Sequence, residues 1–115
     1  MKQVEKAATS VSEYLKLFKP QNEFDLVKTL YRGTTGSEAG SSILFLTDDA
    51  AVAATYIKNG GEVASYELTN FSLKSLQAAG ELSLKTGMHG TTCAISTEYM
   101  FQGKNLVEAL NTIAK

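Results

Sequence analysis

The sequence has few of the residues that build disulfides and metal centres. Its one cysteine, Cys93, excludes a disulfide within the chain and a zinc site made of cysteines. Its one histidine, His89, disfavours a histidine-rich metal site. No apolar run approaches the roughly 20 residues of a transmembrane helix, and the mixed-charge residues 1–6 are not followed by the apolar region of a signal peptide. These absences predict a metal-free protein that acts in a reducing compartment such as the cytoplasm, without a membrane partner.

Arginine is also scarce, since Arg32 is the only arginine among 11 basic residues. The net charge of −1 argues against tight nonspecific binding of nucleic acid, although a local basic groove stays open. A guanidinium presents five donors in a planar fork and binds phosphate or carboxylate through two hydrogen bonds. We therefore expect Arg32 to hold either an anionic ligand or a structural carboxylate.

The pattern of apolar residues predicts one α+β domain over residues 1–115, with an N-terminal helix in residues 1–20 and a core in residues 27–115. Apolar residues recur at helical spacing up to Phe18, and Pro20, the only proline, ends that helix. Thr47 is predicted as the N-cap of the next helix. The predicted strands are residues 29–31, 43–46, 62–68, 82–84 and 93–101; the later helices are residues 50–57, 72–79 and a closing helix after Gly103.

Two loops of small residues separate these elements, at residues 33–42 and 87–92. Glycine, serine and threonine allow a backbone to approach a ligand closely. We therefore expect at least one of the two loops to border a binding site.

Three polar positions have a context that indicates chemistry. Arg32 ends the first predicted strand, Thr47 ends the second, and Glu98 lies within an otherwise apolar strand. A carboxylate in such a strand needs water, a partner or a ligand, because burying it alone is costly. The structural alternatives are an outward-facing Glu98 or an ion pair between it and Arg32, and a simple helix cap for Thr47.

Three blocks of sequence surround these positions. They are residues 30–34 (Leu-Tyr-Arg-Gly-Thr), residues 45–49 (Phe-Leu-Thr-Asp-Asp) with an alanine-rich helix behind them, and residues 98–103 (Glu-Tyr-Met-Phe-Gln-Gly). In this order they resemble the arginine, serine/threonine and glutamate blocks of mono-ADP-ribosyltransferases, especially the short domains of bacterial polymorphic toxins. The resemblance covers residues 30–103. It departs from the family in three places: residues 46–48 are Leu-Thr-Asp where serine-threonine-serine is usual, Ser96 stands two residues before the glutamate, and Gln102 stands where a proline is usual.

The resemblance implies a compact ADP-ribosyltransferase-like fold, with small mixed or antiparallel sheets between an N-terminal and a C-terminal helix. It implies a metal-independent enzyme that takes NAD as substrate, cleaves the nicotinamide–ribose bond and transfers ADP-ribose to a protein or RNA acceptor, or to water. Glu98 would stabilise positive charge on the ribose, Arg32 would hold a phosphate or ribose, and Thr47 would hydrogen-bond Glu98. The implied NAD-binding residues are Tyr31, Arg32, Gly33, Thr34, Phe45 and Thr47.

The same resemblance implies a setting for the protein. A toxin-like module would have a cognate immunity protein as a partner and would be delivered as part of a secreted toxin. The loop at residues 87–92 would lie where the family recognises its target.

Two other functions are compatible with the sequence. One is a metal-independent ribonuclease toxin, in which His89 is the general base or acid, Glu98 is its partner, and Arg32 or a lysine stabilises the phosphorane. The other function is that of an inactive binding module of the same fold. Cys93 borders an apolar strand, so we expect a buried, inert thiol there.

Overall fold

Five strands and four helices make up the part of the chain that the computed structural model describes, residues 10–33, 42–55, 57, 61–88 and 95–115. Strands and helices do not alternate regularly, and every strand pair is antiparallel. The predicted α+β class is thereby confirmed. The elements are α1 (Val11–Leu17), β1 (Val27–Gly33), β2 (Ile43–Thr47), α2 (Ala50–Ala54), β3 (Val63–Thr69), α3 (Asn70–Ala78), β4 (Leu82–Met88), β5 (Ile95–Gln102) and α4 (Lys104–Ile113).

The sheet has the strand order β3-β1-β2-β5-β4 and consists of two well-paired halves. β1 pairs with β3 along its whole length, and β5 pairs with both β2 and β4. Among the described residues the two halves meet at one residue pair, Tyr31 opposite Thr47, where β1 contacts β2. Beyond this single pair β1 and β2 separate, and the gap between them forms a cleft.

The main hydrophobic core lies against one face of the sheet. Alternate strand residues such as Leu44, Leu46, Tyr99 and Phe101 are buried there, as the two-residue period of a half-buried strand requires. Helix α4 covers them with a buried apolar stripe that includes Leu106 and Leu110, spaced at the helical repeat. The opposite face carries Thr47 and Glu98, so the core supports the site without filling it.

Helix α1 is fixed to this core by an unusual polar contact. The Tyr14 hydroxyl donates a hydrogen bond of 2.9 Å to Oε2 of Glu81, and both side chains are buried. Within the described residues, Oε1 of Glu81 has no hydrogen-bond partner. Burial and this hydrogen bond raise the pKa of Tyr14 well above its ordinary value, so the hydroxyl keeps its proton.

The predicted helices are found, with changes at their ends. Helix α1 ends before Pro20 as predicted, while residues 1–9 of that predicted segment lie outside the described residues. Helix α3 begins at Asn70, two residues early, because the Thr69 side chain accepts from the amide of Ser72 and caps it there. Gly80, with φ +76°, follows the end of α3 in the left-handed conformation that glycine adopts easily.

The prediction that Thr47 caps the second helix is wrong. Asp49 has extended backbone angles (φ −120°, ψ 111°) and is the N-cap of α2, and its Oδ1 accepts from the amide of Ala51 at 2.9 Å. Oγ1 of Thr47 instead accepts from the amide of Asp49 at 3.2 Å. Thr47 is therefore the last residue of a strand, with its side chain in the turn that leads to the helix.

Two other boundaries differ from the predictions. Helix α2 ends at Ala54 rather than at residue 57. β4 continues to Met88 instead of stopping at residue 84, because it pairs with β5 along its full length. Gly87 therefore belongs to a strand, although the sequence predicts a loop there.

Candidate functional site

A cleft of about 430 Å³ lies where the two halves of the sheet separate. Next to the Tyr31–Thr47 pair, the end of β1 pairs with β3 and the middle of β2 pairs with β5, and both segments line the opening. The volume lies in the range typical of small-molecule sites. The lining residues are Tyr31, Arg32 and Gly33 of β1; Phe45, Leu46 and Thr47 of β2; Val52 and Ala53 of α2; and Glu98 of β5.

Helix α2 closes the inner side of this cleft because Gly33 lets it approach β1. A Cβ atom on Gly33 would fall on the carbonyl oxygen of Ala53 and within 3.2 Å of the amide nitrogen of Ile57. Val52 and Ala53 are buried but are not part of the main core cluster. The helix thus packs its own small apolar patch under the cleft, and the contact depends on glycine at position 33.

Thr47 and Glu98 lie directly opposite each other on β2 and β5. The main-chain groups of the neighbouring residue Thr97 both face β2: its N–H donates to Oδ1 of Asp48 at 3.0 Å and its carbonyl accepts from the amide of Asp48 at 3.3 Å. Residues 47 and 98 therefore form a non-hydrogen-bonded pair. In such a pair the side chains approach most closely, with Cβ atoms roughly 4.5–5.5 Å apart.

Arg32 reaches the cleft from the other half of the sheet. It lies one residue beyond the junction at Tyr31 and opposite Ala64 of β3. Arg32 and Glu98 are both partly buried, and only 6% of the Thr47 surface is exposed. The three polar residues singled out in the sequence thus line one cavity, and each projects from a hydrogen-bonded strand.

The remaining predicted residues are distributed as follows. Tyr31, Gly33 and Phe45 line the same cleft, and Phe45 presents an aromatic ring that is 50% exposed. Thr34, the sixth predicted binding residue, lies outside the described residues. So do His89, on which the ribonuclease alternative depends, Cys93, the predicted inert thiol, and most of the predicted target-recognition loop.

Four residues of the site were not singled out by the sequence. Leu46, Val52 and Ala53 line the cleft, and Asp48 holds the strand beside Glu98. The alanine-rich stretch after Asp49 was the available signal for Val52 and Ala53, since small residues allow a helix to pack closely. Nothing local to Asp48 indicates its contact with Thr97, which lies 49 positions further along the chain.

Neither protein-family models nor curated proteins nor solved structures match this chain. In the described ranges, no three His, Cys, Asp or Glu side chains are grouped so that they could hold a metal ion. None of the described helices has the length and apolar character needed to cross a membrane. The function has to be inferred from the chemistry of the cleft.

Proposed function

We propose that the protein is a toxin-like, NAD-dependent ADP-ribosyltransferase or NAD glycohydrolase. The observation that carries this proposal is the shared cleft of Arg32, Thr47 and Glu98, residues that are distant in the sequence and lie on three different strands. A cation, a hydroxyl and a carboxylate around one cavity match the needs of a substrate with phosphates, ribose hydroxyls and a bond whose cleavage develops positive charge.

Glu98 is assigned to the bond that breaks. Cleavage of the nicotinamide–ribose bond leaves positive charge on the ribose, and a fixed carboxylate nearby stabilises that charge. The bonding electrons leave with nicotinamide, and the ribose then forms a bond to an oxygen or nitrogen of the acceptor, which loses a proton. Position 98 suits this role because it is partly buried and its strand is paired on both sides.

Arg32 is assigned to substrate binding. Its planar fork binds a phosphate through two parallel hydrogen bonds, which a lysine does not reproduce. The residue lines the cleft from β1, one position beyond the Tyr31–Thr47 pair. A phosphate held there would leave the sugar free to reach toward Glu98.

Thr47 and the apolar lining orient the substrate. Thr47 is the cross-strand neighbour of Glu98, so its side chain restricts the positions that the carboxylate can adopt. Phe45 and Tyr31 offer aromatic surface for a planar ring, and Val52 and Ala53 of α2 make the adjoining wall of the cleft apolar. Apolar walls strengthen the electrostatic effect of Glu98, because they keep water away from it.

The test is the release of nicotinamide from NAD by the purified protein and by Glu98→Gln. We expect the glutamine variant to lose roughly 100-fold or more of the rate, since removal of one preorganised electrostatic group has an effect of that order. Glu108→Gln is the matched control, because it makes the same change on an exposed face of α4. Equal rates in Glu98→Gln and the wild type would refute the proposal.

The acceptor is tested by the same reaction with labelled NAD and a cell lysate. Label on protein or RNA supports a transferase, whereas free ADP-ribose alone supports a glycohydrolase. Cleaved RNA with unchanged NAD would favour the ribonuclease alternative.

A further inference from the structure

Asp48 forms a clamp on β5 immediately before Glu98. Its amide donates to the carbonyl of Thr97 at 3.3 Å, and its carboxylate accepts the Thr97 amide at 3.0 Å. The pairing that places Thr47 opposite Glu98 would place Asp48 opposite Thr97. The Asp48 carboxylate therefore takes the place that its own carbonyl would have in a regular antiparallel ladder.

This substitution frees the main chain of Asp48 to leave the sheet. The next residue, Asp49, already caps α2, the helix that supports the cleft. The side-chain acceptor allows the ladder to continue by one pair while the backbone turns toward the helix.

The extra pair matters because of where the β2–β5 ladder would otherwise end. Without it, the last pair would be Thr47 and Glu98, and terminal pairs of a ladder open most readily. Beyond Thr97, Ile95 at the start of β5 is 72% exposed and contributes little packing. The Thr97 hydroxyl also meets the Thr86 hydroxyl of β4 at 3.1 Å, so Thr97 is held from both neighbouring strands.

We infer that Asp48 is a positioning residue for Glu98, acting by hydrogen-bond acceptance from the Thr97 amide and not by its charge. The effect on turnover rests on the proposed function, whereas the effect on the strand does not. Loss of the clamp leaves the fold intact but lets the Glu98 backbone move. A displacement of about 1 Å at a reacting centre reduces a rate by as much as about 100-fold.

The experiment compares Asp48→Ala, Asp48→Asn and Asp25→Ala. The asparagine keeps an oxygen that can accept from Thr97, whereas the alanine does not. Asp25 is the matched control, because its Oδ1 also accepts a distant main-chain amide, that of Phe71, at 3.0 Å. Two quantities are measured in each variant: kcat and KM for nicotinamide release, and hydrogen exchange of the Thr97 amide by NMR.

We expect Asp48→Ala to lower kcat by about 10- to 100-fold with KM changed by less than about threefold. The Thr97 amide should exchange roughly tenfold faster in this variant, as the loss of one hydrogen bond predicts. Asp48→Asn should recover most of both quantities, and Asp25→Ala should leave Thr97 exchange as it is in the wild type. A merely structural aspartate would lower stability without this separation of kcat from KM.

Three results would overturn the inference: unchanged Thr97 exchange in Asp48→Ala, faster exchange with unchanged kcat, or an asparagine variant as impaired as the alanine variant. A wild-type protein that releases no nicotinamide would refute the proposed function instead. In that case the exchange rates alone decide whether Asp48 orders the strand: faster exchange in Asp48→Ala supports the clamp, and unchanged exchange refutes it.

Discussion

Replacement of Gly33 by alanine tests how the cleft is built. The added Cβ would collide with the Ala53 carbonyl, which belongs to helix backbone and cannot rotate away. Helix α2 would have to move from β1, and overpacking of this kind typically costs 1–3 kcal/mol. Alanine also restricts the unfolded chain, which offsets about 0.4–1 kcal/mol. The net loss in the free energy of unfolding should be roughly 1–2 kcal/mol.

Gly87→Ala is the control for this change. Gly87 also lies in a strand, but a Cβ there would meet nothing within 4 Å. This variant should be unchanged or stabilised by up to about 1 kcal/mol, from the unfolded-chain effect alone. The two variants make the same chemical change, so the difference between them isolates the contact with α2.

The assay is urea unfolding followed by circular dichroism, together with the melting temperature. For a domain of this size, 1 kcal/mol corresponds to roughly 4–8 °C in Tm, so Gly33→Ala should melt roughly 4–15 °C below the wild type. It should also bind NAD more weakly at temperatures where it is folded, because α2 lines the cleft. Equal stability of Gly33→Ala and Gly87→Ala would refute the close packing of α2 on β1.

Three further predictions concern other parts of the molecule. Tyr14→Phe should lower the free energy of unfolding by roughly 1–3 kcal/mol, because it leaves the buried Glu81 carboxylate without its partner. Because the folded state raises the pKa of Tyr14, its hydroxyl contributes fully to the free energy of unfolding below pH 10.0, the ordinary pKa, and this contribution is lost as the pH rises above it. The free energy of unfolding of Tyr14→Phe should therefore fall less steeply with rising alkaline pH than that of the wild type. Burial raises the pKa of Asp25, but hydrogen bonds from the amides of Phe71 and Gln21 outweigh this effect and hold the pKa below the ordinary 3.8. The Asp25 carboxylate therefore stabilises the folded state above pH 3.8, and this stabilisation is lost as the pH falls below that value. When the free energy of unfolding is measured at decreasing pH, Asp25→Asn should lose less of it than the wild type. An equal loss in the two proteins would contradict this prediction. Arg32→Lys keeps the charge and removes the fork, so kcat/KM for nicotinamide release should fall by about tenfold or more, mainly through KM; an unchanged KM would remove Arg32 from substrate binding.

Much of the fold was predictable because it depends on local patterns. The alternation at residues 62–68 and the helical spacing before Phe18 each mark an element that the structure contains. The convergence of Arg32, Thr47 and Glu98 was predicted only through a family resemblance. Nothing in their spacing indicates that the strands carrying them are neighbours.

The features that could not be predicted from the sequence depend on contacts between residues that are far apart along the chain. The length of β4 is set by its pairing with β5, which overrides the glycine at position 87. The cap of α2 passes from Thr47 to Asp49 because the β2–β5 ladder continues for one more pair at Asp48 before the helix begins. The split between β1 and β2, which makes the cleft, depends on the position of α2 against Gly33. The periodicity of apolar residues reports only on local structure, so it does not predict these contacts between distant segments.

The central claim is that this cleft binds NAD, and NMR titration of the ¹⁵N-labelled Glu98→Gln variant with NAD tests it most directly. This variant keeps the cleft while slowing turnover, so the bound state persists during the measurement. We predict saturable shifts of the amide signals of residues 31–33 and 45–47, with α1 and α4 unaffected. No shifts at millimolar NAD, or shifts confined to the main core and to α1 and α4, would contradict the account.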